Sequence, residues 1–232
     1  MYSCHHILLC LFLCNMILDV MCQLTLQSSE QHQIYVYAYS WTPGFCHGQK
    51  YPGCVEPLPY WTTNFTIHGL WPQYATNGYP STCTTEQFDA SIPQQIGENK
   101  MIQYWPDVQY DVSSASYNSF WQHEWTKHGT CSGLSQIDYF SQALDLTNRI
   151  PTPYVLYDSI GENVSADALR NGFGGANYVA LQCSNQMLTG VYTCWEQKNN
   201  IPSAQIVCPL SVIKEDTCIK TDDIIVLSLY PL

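Results

Sequence analysis

Eight cysteines constrain this chain more than any other feature: Cys46, Cys54, Cys83, Cys131, Cys183, Cys194, Cys208 and Cys218. Four more, Cys4, Cys10, Cys14 and Cys22, fall in residues 1–22, expected below to be a cleaved leader. An even set remaining in a chain sent to an oxidising compartment implies four disulfides and a fold stapled by them. The spacing alone does not choose a pairing. A structural zinc site wants close Cys-x-x-Cys pairs, and none occurs.

Residues 7–18 (ILLCLFLCNMIL) form a mostly apolar run that stops at Asp19. A membrane span needs about twenty such residues, so the run is too short for one. It fits the apolar core of a secretory signal, with Val20 and Cys22 at the −3 and −1 positions of a cleavage site. Residues 1–22 are therefore expected to be a signal peptide and residues 23–232 the mature chain. No later apolar run is long enough to span a bilayer, so no membrane attachment is expected after cleavage.

Charged residues make up 12% of the chain, and eight Lys and Arg face nineteen Asp and Glu, for a net charge of −11. A broad basic surface for nucleic acid is excluded. Any polyanion must be held at a small, locally positive site. With 46% hydrophobic residues the chain buries a sizeable core, and no linker, charge block or repeat divides it.

Residues 34–41 (IYVYAYSW), 65–70, 178–182, 190–196, 205–207 and 224–229 read as strands, the second ended by Trp71-Pro72. Helical signals gather between them. Thr84-x-x-Gln87 and Ser135-x-x-Asp138 resemble capping boxes, and Ile137, Phe140, Ala143, Leu144 and Ile150 recur at helical spacing after the second. Residues 116–128 read as a helix stopped by Gly129. Strands toward both ends with helices in the middle give α+β in one domain.

Two segments carry chemistry. In FTIHGLWP (65–72) a strand puts Phe65 and Ile67 on one face and His68 on the other. In FWQHEWTKHGTC (120–131) Trp121 and Trp125 continue an apolar helical stripe from Tyr117. Glu124 and His128 fall within that stripe, Lys127 lies at its margin, and His123 is further round. Ionisable groups on a buried side are costly unless they serve each other or a ligand. A His-Glu-x-x-His zinc site fails on spacing, since Lys127 occupies the place of the second histidine. Two imidazoles can instead share acid and base roles near working pH, with Lys and Glu suited to a phosphoryl centre. RNA carries its own nucleophile in the 2′-hydroxyl, and Trp71, Tyr79 and Phe120 could stack its unpaired bases.

Both segments, in this order, resemble the active-site signatures of the ribonuclease T(2) family of secreted and vacuolar or lysosomal endoribonucleases. The start at Tyr35 to Cys46 and the cysteine pattern are similar too. The resemblance implies an α+β fold with a central, largely antiparallel sheet and flanking helices. It also implies metal-independent cleavage of single-stranded RNA, without cofactor, through a 2′,3′-cyclic phosphate to 3′-phosphate ends. It makes His128 the general base, His68 the general acid, Glu124 and Lys127 the stabilisers of the phosphorane, and His123 a phosphate ligand. Trp71 and Tyr79 line the first base pocket and Phe120 the second. The bridges it implies are Cys46–Cys54, Cys83–Cys131, Cys183–Cys218 and Cys194–Cys208.

Gln73 is a further candidate base-binding residue; it stands where several relatives have Asp, and Ser40 stands where many have Gln, so base preference does not transfer. The acidic charge suits an enzyme of an acidic secretory, lysosomal or vacuolar compartment. A monomer is expected. Of the sequons Asn64-Phe-Thr66 and Asn163-Val-Ser165, Asn163 is the expected glycosylation site, in a loop after Gly161. The rival reading is a secreted binding protein that keeps the scaffold without catalysis. The intact set His68, Glu124, Lys127 and His128 argues against it.

Overall fold

The computed structural model describes residues 33–218 and 223–226, all within one compact unit. The proposed signal peptide lies outside the described residues. A seven-stranded sheet forms the centre: β1 (Gln33–Ser40), β2 (Thr66–Tyr74), β3 (Asn163–Ser165), β4 (Val179–Ser184), β5 (Met187–Lys198), β6 (Ile201–Ile206) and β7 (Asp223–Ile225). The strand order is β2-β1-β5-β7-β3, with β4 and β6 also paired to β5. Every pairing is antiparallel except the short contact of β5 with β7.

Three single-turn helices, α1 (Thr42–Phe45), α2 (Pro52–Val55) and α3 (Pro59–Thr63), lie between β1 and β2. After β2 come α4 (Ile92–Ile96), α5 (Glu98–Tyr104), α6 (Ser119–Lys127) and α7 (Gln136–Arg149). Short helices α8 (Tyr154–Tyr157), α9 (Ala166–Gly172) and α10 (Leu210–Ile213) complete the set among the described residues. The α+β architecture with a largely antiparallel sheet is as the sequence led us to expect.

β1 shows why the sheet holds. Alternation sends Tyr35, Tyr37 and Tyr39 into the main core and Ile34 and Val36 into a smaller cluster with Cys194, Cys208 and Val212. The buried hydroxyl of Tyr37 donates to the Ala143 carbonyl at 2.7 Å and that of Tyr35 to Asn200 at 2.7 Å, so neither is left unpaired. Trp41, Trp105, Trp121 and Trp125 are all fully buried. Four disulfides tie Cys46 to Cys54, Cys83 to Cys131, Cys183 to Cys218 and Cys194 to Cys208.

Several local expectations are corrected. Trp71-Pro72 does not end β2, which runs on to Tyr74. β2 is an edge strand, where a proline's missing N–H costs no ladder bond. Thr84-x-x-Gln87 starts no helix: Thr84 Oγ1 accepts from the Glu86 N–H in a local turn, and α4 begins at Ile92. Ser135 does cap α7, accepting from the Asp138 N–H. Of its expected apolar stripe, Ile137 is exposed and Ile150 lies just past the helix.

α6 starts at Ser119, three residues later than expected, with Tyr117 buried ahead of it. Gly129 opens a 3₁₀ turn through Cys131. A Cβ there would stand 2.3 Å from the Trp125 ring, so close packing, and not a left-handed stop, demands the glycine. The fifth strand signal, 205–207, is the end of β6. Of the last, 224–229, the start lies in β7 (Asp223–Ile225), and 227–229 fall outside the described residues. Asn163 begins β3 instead of lying in a loop, and remains exposed.

Candidate active site

β2 supplies one wall through an irregularity. Ala38 pairs with Gly69 and Tyr39 with Ile67, so His68 is an extra residue bulged out of the ladder. The bulge shifts the alternation: Ile67 and Leu70, three apart, both enter the main core. His68, Trp71 and Gln73 are left to line the cleft. Two buried tryptophans fix the bulge. Trp105 Nε1 donates to the His68 carbonyl at 3.0 Å, and Trp121 Nε1, from α6, donates to the Trp105 carbonyl at 2.7 Å. The strand histidine is thereby held in register with the helix opposite it.

α6 supplies the other wall. Its tryptophans anchor in the core, and Glu124 and His128 follow them inward, with 1% and 5% of their surfaces exposed. His123 is exposed on the rim and Lys127 half-buried. His68, His123, Glu124, Lys127 and His128 meet Trp71, Gln73 and Tyr79 around one cleft of 290 Å³. Phe120 stands apart from that cleft. It lines an adjoining pocket of 260 Å³ on the other side of His68, with its ring 5.4 Å from the His68 ring.

Trp71 is the spacer of the cleft. Its ring lies 5.2 Å from His68, edge to face, and 5.1 Å from His128, nearly parallel. Its Nε1 donates to Glu124 Oε2 at 2.8 Å. Glu124 Oε1 lies 3.9 Å from His68 Nε2. The two imidazoles therefore flank one indole above one buried carboxyl. Lys127 Nζ sits 6.0 Å from the Tyr79 ring centre. His128 Nδ1 is buried without a hydrogen-bond partner among the described residues.

The electrostatics follow from burial beside cations. Burial, then the neighbouring His123 and Lys127, lowers the pKa of His68 to about 4. The His68 side chain keeps 43% of its surface exposed, so the cleft walls rather than full enclosure impose this, and water tempers it. Burial and then Lys127, His123 and His68 lower His128 to about 3. Burial lifts Glu124 to about 8, against the pull of the Trp71 hydrogen bond and of Lys127. The free site thus favours neutral imidazoles and a protonated carboxyl. Negative charge brought into the cleft would raise the pKa of both imidazoles and hold the Glu124 carboxyl protonated, because an anion favours the more protonated form of each group beside it.

A model of the Ribonuclease T2 family matches residues 32–205. The chain belongs to this family. It is a ribonuclease, 31% identical over 200 residues to Ribonuclease 1 of Arabidopsis thaliana, with 79% of this chain and 83% of that protein covered. It is also 31% identical over 209 residues to extracellular ribonuclease LE of Solanum lycopersicum, covering 82% and 86%. A variant of RNase MC1 in complex with 5′-GMP shares the fold with a TM-score of 0.65 at 29% identity, over 83% of this chain and 99% of that one.

Within this family member, three cleft residues escape sequence reasoning. Tyr192 lines both pockets and packs its ring 5.2 Å from Trp71. Alternation along β5 could have placed it on the open face, since Val191 is wholly buried in the core. Asp107, in the pocket beside Phe120, is buried and accepts from the Gln109 N–H at 3.1 Å and from Ser119 Oγ at 3.3 Å. Burial raises its pKa nonetheless. Glu215 arrives from far along the chain, and no local pattern marks it. Among the described residues, no group of three His, Cys, Asp or Glu is arranged to hold a metal ion.

Proposed function

We propose that this ribonuclease cleaves single-stranded RNA without metal, by transphosphorylation followed by hydrolysis. One observation carries the reading: two imidazoles, from a bulged strand and from a helix end, flank the same indole over a buried carboxyl. His128 takes the 2′-hydroxyl proton, and the 2′-oxygen attacks phosphorus. The bond from phosphorus to the 5′-oxygen breaks, and His68 delivers a proton to that leaving oxygen. The protonation states are then reversed. In the second step His68 takes a proton from water, which attacks the cyclic phosphate, while His128 returns a proton to the departing 2′-oxygen. A 3′-phosphate remains.

Lys127 and the protonated Glu124 carboxyl donate to the phosphorane oxygens, whose charge grows in the transition state. His123 on the rim holds phosphate. Upstream and downstream nucleotides lie on the two sides of the imidazole pair. The pocket beside His68 and Phe120 takes the base of the leaving nucleotide. Tyr79, 53% exposed, offers the free ring surface on the other side, near Gln73. Trp71 lines that side but spends its contacts on His68, His128 and Glu124.

Single-stranded RNA incubated with the protein in EDTA at about pH 5 tests the reading, and loss of cleavage on chelation would refute the metal-free route. His68→Ala and His128→Ala are each expected to slow cleavage by about 10²- to 10⁴-fold, and His123→Ala by less.

The same reading includes passage through the secretory pathway, with residues 1–22 removed, and a monomeric product in an extracellular, lysosomal or vacuolar space. Four disulfides fit such a compartment. Among the described residues no helix is long and apolar enough to cross a membrane. Exposed Asn163 is the proposed glycan site. Asn64 is less suited, because its side-chain amide donates to the Tyr60 carbonyl and to Thr63 Oγ1 while its oxygen accepts from the Tyr157 hydroxyl. N-terminal sequencing of the exported protein, with glycosidase treatment of wild type and Asn163→Gln, tests these points.

A further inference from the structure

The groove does not stop at the cleft. Gln73, Tyr79 and Glu215 line both the cleft and a further hollow of 490 Å³ on the side away from Phe120, whose walls include Asn77, Ser211 and Lys214. Lys214 is one of eight basic residues in a chain of net charge −11. Both arginines are committed elsewhere, Arg149 to Asp145 and Arg170 to Asp167 and Asp216. Lys214 is exposed and makes no ion pair among the described residues. The Ser211 hydroxyl on the same wall is buried with no hydrogen-bond partner there. A buried hydroxyl left unpaired in this way is met by an ordered water or ion.

We propose that this hollow is an extended substrate subsite, in which Lys214 pairs with the RNA phosphate on the 5′ side of the nucleotide that supplies the attacking 2′-hydroxyl. The direction rests on the mechanism above. If His68 protonates the leaving 5′-oxygen, the downstream nucleotide lies beside Phe120, and the strand must continue past Tyr79 in the 5′ direction. Lys127 and Lys214 then form two positive stations along one groove of an otherwise acidic protein, with the exposed Tyr79 ring between them. Such local cations hold a polyanion that the net charge repels. Glu215 opposes them, but partial desolvation of its carboxyl, in an otherwise exposed residue, raises its pKa, so it gives up its charge more readily in acid.

The test compares a dinucleoside monophosphate, NpN, with its 5′-phosphorylated form, pNpN, using whichever of the four homodinucleotides is cut fastest. The added phosphate should raise kcat/KM for the wild type by about three- to tenfold, the range of a partly solvated charge-assisted contact. In Lys214→Gln the ratio should fall to about one. Cleavage of long RNA by that variant should also show a salt slope shallower by about 0.7, the share of one phosphate contact on a single strand. A wild-type ratio of one, or a ratio undiminished in the variant, overturns the subsite. If the wild type cuts neither dinucleotides nor polymeric RNA, the ribonuclease mechanism itself has failed, which is a separate outcome.

Discussion

The Trp71 indole N–H donates to Oε2 of Glu124 at 2.8 Å across the gap between β2 and α6. Gly69, two residues before Trp71 on the strand, makes that contact possible. A Cβ there would stand 2.1 Å from Glu124 Oε2 and 2.2 Å from Trp71 Nε1. The segment His68-Gly69-Leu70-Trp71 thus does three things within one turn of the β-bulge: it presents an imidazole, leaves space, and supplies a donor to the carboxyl opposite.

Trp71→Phe keeps an aromatic ring between the imidazoles and removes the donor together with part of the ring surface. Leaving a buried acceptor unpaired costs about 1–3 kcal/mol. The variant should lose kcat by about ten- to a hundredfold, with a lower Tm. Because the lost bond was holding the Glu124 pKa down, that pKa should rise further. Steady-state kinetics over pH, with thermal melts, read all three. An unaltered pH profile with unaltered kcat would mean that Trp71 does not position Glu124.

Gly69→Ala pushes a methyl group into the same contact, and its damage should depend on the partner it displaces. Alone, the substitution should lower Tm and kcat together. Placed in the Trp71→Phe background, where the hydrogen bond is already gone, it should cost less. Denaturant unfolding of the four proteins of this cycle gives the coupling, and strictly additive effects would show that Gly69 serves some other end.

Glu124 also gives the protein a stability slope in pH. Its folded pKa, about 8, lies above the 4.5 of an unfolded glutamate. Its contribution is fully present below about pH 4.5 and is lost as pH rises through about 8. His68 and His128, lowered to about 4 and about 3, act in the opposite sense. Their contribution is present above about pH 6.5 and lost as pH falls. Glu124→Gln isolates the first effect. The Tm of the variant minus that of the wild type should grow from pH 4.5 to pH 8, by more than about 2 °C. A difference that stays flat across this range would mean that Glu124 is ionised in the folded protein.

Much of this was legible in the chain, and the failures have a physical pattern. His68, Glu124 and His128 stand out because their neighbours fix the faces they occupy. Phe65 and Ile67 are plainly core residues, and Trp121 and Trp125 mark the inner side of α6. Ser135 caps α7 because a cap needs only local bonds, all present within three residues. Thr84 offers the same pattern but precedes no apolar face, and the chain there turns on itself instead. Pro72 looked like a strand end because nothing local reveals an edge strand. Tyr192, Asp107 and Glu215 join the cleft through tertiary packing alone. Only the bulge at His68, invisible to simple alternation, explains how Ile67 and Leu70 share a core.

The Cys83–Cys131 bridge closes the longest of the four disulfide loops, 48 residues apart in sequence, and it does so three residues beyond His128. Two hydrogen bonds run beside it: the Thr82 N–H donates to the Lys127 carbonyl at 3.0 Å, and the Cys83 N–H to Thr130 Oγ1 at 3.1 Å. The bridge therefore clamps the segment that carries Tyr79 against the end of α6 that carries Lys127 and His128. Replacing both cysteines by serine should lower stability by about 4 kcal/mol, the chain-entropy value for a loop of this length. It should also loosen the cleft on the Tyr79 side. KM for RNA should rise more than kcat falls, since the two imidazoles keep their own anchors through Trp105, Trp121 and Trp71. If kcat collapses while KM holds, the bridge governs the position of His128 itself and those anchors are insufficient.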